Sequence, residues 1–256
     1  VNGLRALRSA FSVLLIVLYL VVFGPLLMYL WLRPAARLRP ARQRVYLSRY
    51  MKIMAGGMLN LLRLGGARFE RTGVIRTESP VLVLMNHQSL VDILSVTMMS
   101  QPFVPAFVTR SRYARWVPAV SPCVRMLGGP IVDPKRDPRG SLAAVREAAP
   151  RQRHGLLLFP EGHRSKDGEL LPFRTGGTQA TLGAHPMPVQ LVVTDGGWRT
   201  RRLVDFVFNV HGLRVRTEVL DTFAPPSSEE EVPAFVQDLR QRMGEHLARM
   251  RSDAGA

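Results

Sequence analysis

Gly155-Leu156-Leu157-Leu158-Phe159-Pro160-Glu161-Gly162-His163-Arg164-Ser165 is the stretch that decides the fold. An apolar run of strand length stops at a turn carrying an acid, a base and a glycine. Upstream, Val81-Leu82-Val83-Leu84-Met85 stops in the same manner at Asn86-His87-Gln88-Ser89-Leu90-Val91-Asp92. Both runs read as buried strands, and each delivers polar, titratable groups to its carboxyl end. Open α/β sheets hold their ligand sites at those ends.

Outward from these two strands, strand and helix patterns alternate. Short strands are expected at 67–72, 103–109, 130–133 and 189–194, with Pro105 moving the second toward an edge. Helical spacing marks 43–64, 89–100, 113–127, 139–151, 177–183 and 229–251, the third interrupted at Pro118 and Pro122. Ser89 is the expected cap of the helix after the first turn, with Asp92 in its opening turn. Residues 203–210 and 213–219 read as a hairpin around His211-Gly212, and 252–256 as a loose tail. The alternation predicts a mostly parallel sheet with helices on its faces. Three parts are expected: N-terminal helices over 1–64, a catalytic α/β domain over 65–251, and the tail.

Residues 10–32 are apolar apart from Ser12, with Gly24-Pro25 as a break. That length matches the roughly 20 residues that cross a bilayer. It exceeds a signal-peptide core and is followed by Arg33-Pro34, so the segment reads as retained. A bent or half-inserted helix fits as well as a span, because proline breaks the helical ladder. Arg5 and Arg8 precede it; Arg33, Arg37, Arg39, Arg42 and Arg44 follow, which puts the downstream side in the cytoplasm. The helix at 43–64 has an apolar stripe flanked by Arg49, Lys52 and Arg63. It suits either a membrane surface or the domain core.

The formal net charge is +16, from 35 basic and 19 acidic residues. Only Lys52, Lys135 and Lys166 are lysines, so the excess is arginine, whose planar fork fits phosphate and carboxylate. Beside an apolar anchor, this charge points to anionic lipid head groups and away from nucleic acid. Cys123 is the only cysteine, which excludes an intrachain disulfide and a cysteine-rich metal site. Its simplest place is a buried apolar one. No paired-histidine metal pattern and no glycine-rich phosphate loop occurs.

His87 and Asp92 are five apart, about 140° on a regular helix, and would not meet there. They meet if His87 sits in the turn and Asp92 in the first helical turn. Asp92 then fixes the tautomer through one ring nitrogen, leaving the other to take a proton from a hydroxyl. In the second turn, Gly162 permits close approach of the backbone to a ligand. Arg164 offers a fork for phosphate. Alternatively, Glu161 and Arg164 form a local ion pair.

Together these residues resemble the glycerolipid acyltransferase family, the 1-acylglycerol-3-phosphate acyltransferases in particular. Asn86-His87-Gln88-Ser89 and Asp92 match its HxxxxD motif; Phe159-Pro160-Glu161-Gly162, Arg164 and Ser165 match FPEGxRS. Pro188-Val189 resembles a further proline-apolar motif, so the likeness covers about 67–194. The second motif departs from the family pattern: Gly129-Pro130-Ile131-Val132-Asp133-Pro134 leads to Lys135 and Arg136, and either could replace the usual arginine. His163 stands where a small residue is usual. The resemblance implies a mixed, mostly parallel sheet flanked by helices, with N-terminal membrane helices. It implies transfer of an acyl group from acyl-CoA or acyl carrier protein to the hydroxyl of lysophosphatidic acid, with no bound cofactor or metal. His87 would be the base and Asp92 its orienter. Asn86, Ser89, Lys135, Arg136, Glu161, Gly162, Arg164 and Ser165 would bind substrate. The expected location is a bacterial-type cytoplasmic membrane, with the catalytic domain on its cytoplasmic face. Another lysophospholipid or a lyso-ornithine lipid as acceptor is an alternative, as is an inactive lipid-binding protein of the same fold.

Overall fold

The computed structural model describes residues 2–202 and 204–255, with residues 2, 4–6, 254 and 255 described by backbone alone. Val1, Leu203 and Ala256, and with them the first residue of the expected hairpin and the last of the expected tail, lie outside the described residues, as does the Arg5 side chain.

The chain begins with α1 (Asn2–Leu18), a π-helical turn (Tyr19–Phe23), α2 (Gly24–Ala35) and α3 (Pro40–Leu64). It continues through β1 (Arg68–Thr72), β2 (Ile75–Arg76), β3 (Leu82–Met85), α4 (Val91–Met99), β4 (Ser100–Gln101), β5 (Ala106–Phe107), β6 (Thr109–Arg110), α5 (Ser111–Arg115), α6 (Val120–Leu127) and β7 (Ile131–Val132). Then come α7 (Pro138–Ala148), β8 (Leu156–Leu158), α8 (Thr175–Ala184), β9 (Val189–Asp195), α9 (Asp205–Asn209), β10 (Arg214–Phe223) and α10 (Val232–Gly255).

Six strands form the main sheet in the order β1-β10-β9-β3-β8-β5. Only the β9–β10 pairing is antiparallel. The mixed, mostly parallel sheet expected from the alternation is therefore present. β3 and β8 are adjacent and in register, Leu82 opposite Leu156 and Leu84 opposite Leu158. Every residue of both is buried. This is why both read as unbroken apolar runs: a central parallel strand is covered on both faces. Each such side chain contributes about 1.5–3 kcal/mol by leaving water. Because the two strands run parallel side by side, the turns after them open on the same edge of the sheet.

The N-terminal helices share this core. Leu32, Leu47, Tyr50 and Met54 pack in one cluster with the residues of β3, β8 and β9. The α3 helix buries Leu47, Tyr50, Met54, Leu59 and Leu62, so its apolar stripe faces the domain. The break at Gly24-Pro25 takes the form of the π-helical turn. Gly24 N–H bonds back to the Tyr19 carbonyl, which shifts the ladder just before Pro25 and keeps the helix continuous. Gly24 is also packed tightly: a Cβ there would lie 2.7 Å from Ala119 Cβ.

Three expectations are corrected. The hairpin's first arm is instead helix α9: Phe206 and Val210, four apart, bury together against Ile16 of α1 and leave no strand face. Its second arm, β10, pairs with β9 and β1. The expected tail is helical through Gly255, since Met250 buries and Arg251 is bonded into the domain. Ser89 is not the residue adjoining α4, although its Oγ accepts from the Val91 amide at 3.3 Å. The helix starts two residues later, and the Asp92 carboxylate takes the free amides.

Candidate active site

The turn after β3 is built around one carboxylate oxygen. Asp92 Oδ2 accepts from His87 Nδ1 at 2.8 Å, from the Gln88 amide at 2.7 Å and from the Ser89 amide at 2.8 Å. Asp92 is fully buried, and its Oδ1 has no hydrogen-bond partner among the described residues. The two amides fix the carboxylate, and the carboxylate fixes the ring. His87 stacks on Phe159, with ring centroids 3.8 Å apart. Arg164 Nε donates to His87 Nε2 at 3.3 Å. Both ring contacts require the same tautomer: Nδ1 carries the hydrogen toward Asp92, and Nε2 keeps its lone pair. Burial pushes the imidazole below its usual range. Asp92 opposes that shift, while Arg164 and Arg110 reinforce it. The ring is thus held neutral and basic at Nε2, the form a general base needs.

Glu161 fastens the backbone on both sides of the site. It is buried, and both carboxylate oxygens accept backbone amides: His87 N at 2.6 Å and Leu171 N at 3.0 Å. It bolts the two turns together. Burial raises it to about 7 against the pull of those amides. No Glu161–Arg164 ion pair forms among the described residues; Arg164 reaches His87, the Tyr113 hydroxyl (3.1 Å) and the Arg201 carbonyl (2.6 Å) instead. Asn86, Ser89 and Ser165 also make bonds that hold the fold around the turn. Asn86 ties β3 to β9 through both the N–H and the carbonyl of Thr194, at 2.8 Å each. Ser89 Oγ donates to the Thr200 carbonyl at 2.8 Å. The Ser165 amide donates to the His87 carbonyl at 2.8 Å. All three are buried.

Gln88 carries the turn's tie to the far side of the domain. Its side chain donates to Asp195 Oδ1 and to the Gly168 carbonyl, each at 3.2 Å, and accepts from the Gly197 amide at 3.0 Å. Arg251 of α10 grips two of the same partners, Asp195 at 3.2 Å and the Gly168 carbonyl at 2.8 Å, and also Glu169 at 2.8 Å.

Gly162 is exposed with φ +74°, the left-handed region where glycine costs least. Its carbonyl accepts from Arg110 Nη2 at 2.8 Å. Arg110 was not anticipated, although the rule that strand ends deliver site groups applies to it: it closes β6, which pairs with β7 of the second motif. Arg110, Arg112, Arg115, Lys135 and Arg136, with Asp133, line a cleft of about 360 Å³. Lys135 and Arg136 are exposed side by side there, so the structure leaves both open as replacements for the usual arginine. His163 is exposed. Cys123 is buried, and burial pushes its thiol up to about 12. Among the described residues, no cluster of histidine, cysteine and carboxylates has metal-binding geometry.

This arrangement can deprotonate a hydroxyl at Nε2 beside a cationic surface, and the comparisons with known proteins agree with that chemistry. A family model described as Acyltransferase matches residues 66–193. The chloroplastic 1-acyl-sn-glycerol-3-phosphate acyltransferase of Brassica napus is 30% identical over 123 residues, 46% of this chain and 34% of that protein. The Escherichia coli 1-acyl-sn-glycerol-3-phosphate acyltransferase is 28% identical over 105 residues, 40% of this chain and 42% of that protein. The Cocos nucifera enzyme of the same name is 25% identical over 255 residues, covering 95% and 76%. The chain thus spans less than half the length of the first two. The crystal structure of the 1-acyl-sn-glycerophosphate (LPA) acyltransferase PlsC from Thermotoga maritima shares the fold, with a TM-score of 0.75, 22% identity and coverage of 97% and 98%. The family match takes in both strand-end turns and the residues in contact with the His87 ring, and so the chain belongs to the acyltransferase family.

Proposed function

We propose that this protein transfers a fatty acyl group from an acyl thioester to the free hydroxyl of lysophosphatidic acid. The observation that carries the reading is the His87 ring, fixed by Asp92 on one side and presenting a basic Nε2 beside Arg164 and Arg110 on the other. In the reaction, the acceptor hydroxyl replaces Arg164 as the partner of Nε2. The oxygen attacks the thioester carbonyl as its proton passes to Nε2. The tetrahedral adduct then collapses, the carbon–sulfur bond breaks, and the thiolate takes the proton from the imidazolium. Asp92 stabilises the cation formed between those steps. General base catalysis of this kind is worth ~10² to 10⁴ in rate. Arg110, Arg164 and the cations around the cleft hold the acceptor's phosphate.

The acceptor reaches the site from a membrane. The helix from Leu7 to Ala35 is long and apolar enough to cross a bilayer. One face of it is fastened to α3 along its length: Tyr19 bonds the Ile53 carbonyl, Tyr50 the Gly24 carbonyl and Trp31 the Tyr46 carbonyl. The other face exposes Phe11, Leu14, Leu18, Val22, Leu26 and Leu30. A helix bound lengthwise to a folded domain suits in-plane half-insertion better than a span.

The test is an acceptor panel with purified protein and palmitoyl-CoA, reading free thiol and lipid product together. Phosphatidic acid formed from lysophosphatidic acid, and lost in His87→Ala, supports the reading. Faster acylation of a lysolipid without a phosphomonoester would replace the acceptor. Thiol release only in the presence of acyl carrier protein thioester would replace the donor.

A further inference from the structure

The two most exposed large apolar side chains among the described residues are outside the N-terminal helix: Trp116, 81% exposed, and Phe208, 76% exposed. Their places are related. Arg164, the partner of His87 Nε2, is held between the Tyr113 hydroxyl and the Arg201 carbonyl. Tyr113 belongs to the helix that ends just before Trp116, and Arg201 precedes the segment bearing Phe208 and Val204, which is itself 57% exposed. The mouth of the site is therefore bracketed by two short segments, each carrying an exposed aromatic residue.

Both segments adjoin the apolar N-terminal helix. Ala119, just after Trp116, abuts Gly24. Phe206, between Val204 and Phe208, packs with Ile16. Single exposed apolar residues are ordinary, but these sit on segments packed against the helix that also exposes Phe11, Leu14 and Leu18. The charge around them is mostly basic, with Asp133 and Asp205 as the acidic residues nearby. Arg112 and Arg115 stand beside Trp116, Arg199 and Arg202 near Phe208, and none makes an ion pair among the described residues. An apolar wedge flanked by unpaired arginines matches the boundary between acyl chains and anionic head groups.

We propose that the rim of the active-site mouth is itself a bilayer-docking surface, in which Trp116 and Phe208 enter the acyl-chain boundary on either side of the opening and the neighbouring arginines meet anionic phosphates. This rests on the reading of the site as one that works on a membrane lipid. It makes docking and opening one event, since the segments that enter the lipid are those that hold Arg164 over His87.

The experiment uses the full chain and vesicles of phosphatidylcholine with or without phosphatidylglycerol. Brominated acyl chains should quench the intrinsic emission, and Trp116→Phe should measurably reduce that quenching, the remainder coming from Trp31 of the apolar N-terminal helix. Phe208→Ser with Val204→Ser should raise the apparent KM for vesicle-embedded acceptor at least ~5-fold, as expected for loss of buried apolar area at an interface. The same variant should leave turnover of a short-chain, water-soluble acceptor unchanged. Equal quenching in Trp116→Phe, or unchanged vesicle KM in the double variant, overturns the proposal. So does a shift in oligomeric state on size exclusion in the variants, which would assign the rim to a second copy. Absence of turnover by the unsubstituted protein on every acceptor, with quenching intact, would overturn the reaction assignment and leave the docking surface standing.

Discussion

The turn around His87 and the cleft around Lys135 are both polar, yet they are built in opposite ways. In the turn, a buried carboxylate oxygen collects three donors, a second carboxylate bolts two loops through their amides, and the ring is stacked on Phe159. In the cleft, Arg115, Lys135 and Arg136 are exposed, with no ion-pair partner among the described residues. The turn is fixed in advance of substrate, which is what proton transfer needs. The cleft keeps long, hydrated cations free, which suits an anion that arrives with its own counterions. Substitutions should therefore have large effects on turnover in the turn and graded effects on acceptor affinity in the cleft.

The largest expected effect is at His87. His87→Ala should lower kcat by at least ~10² with the fold retained, because the ring is removed and the bolted loops remain. Asp92→Asn should follow. An amide there can hold the wrong tautomer, and it also places a donor against the Gln88 and Ser89 amides. Near-normal kcat in either variant, with circular dichroism unchanged, would break the contrast at its stronger end.

Arg164 belongs to both regions. Arg164→Ala should raise the KM of a phosphorylated acceptor roughly 10- to 100-fold, from the loss of a charged hydrogen bond of about 1.5–3 kcal/mol. It also removes a cation that lowers the His87 pKa, so the acid limb of the kcat/KM profile should move to higher pH. A KM change with a stationary acid limb would mean that Arg164 senses only the phosphate.

Glu161 should act through stability. Its folded pKa is raised from 4.5 to about 7, so the folded state binds the proton more tightly than the unfolded chain. The resulting contribution is full below 4.5 and is lost as pH rises through about 7. Glu161→Gln should abolish that slope in urea unfolding, and should cost about 1–3 kcal/mol because one of the two amides loses its acceptor. The smallest effects belong to Lys135→Ala and Arg136→Ala. Exposed charges of this kind are worth about 0.2–1 kcal/mol each, a few-fold in acceptor KM that fades with added salt. A hundredfold loss in either would show that the cleft is as fixed as the turn.

What was legible in the sequence follows the same division. β3 and β8 announced themselves because a strand buried on both faces cannot hide its composition, and the abrupt polar turns after them located His87 and Asp92. The backbone bonds of Glu161, Asn86 and Ser165 were not legible. These residue types suit ligand contact and backbone fastening equally, and only the positions of distant amides decide between the two. Helix α9 was misread because a short apolar run around Phe206 has no intrinsic period. Its form is set by α1, nearly two hundred residues earlier in the chain. Arg110 passed unnoticed because β6 is two residues long, too brief to mark its own end.

The grip of Arg251 on Asp195 and Gly168, the partners of Gln88, orders events in time. A ribosome adding 5–20 residues per second needs roughly ten to thirty seconds to pass from Gln88 to Arg251. Throughout that interval the apolar stretch Leu7–Ala35 has been made, and the turn still lacks its last fastening. On the proposed reading, the nascent chain would settle on lipid well before it could act on lipid, so each molecule would be in place when its chemistry switches on.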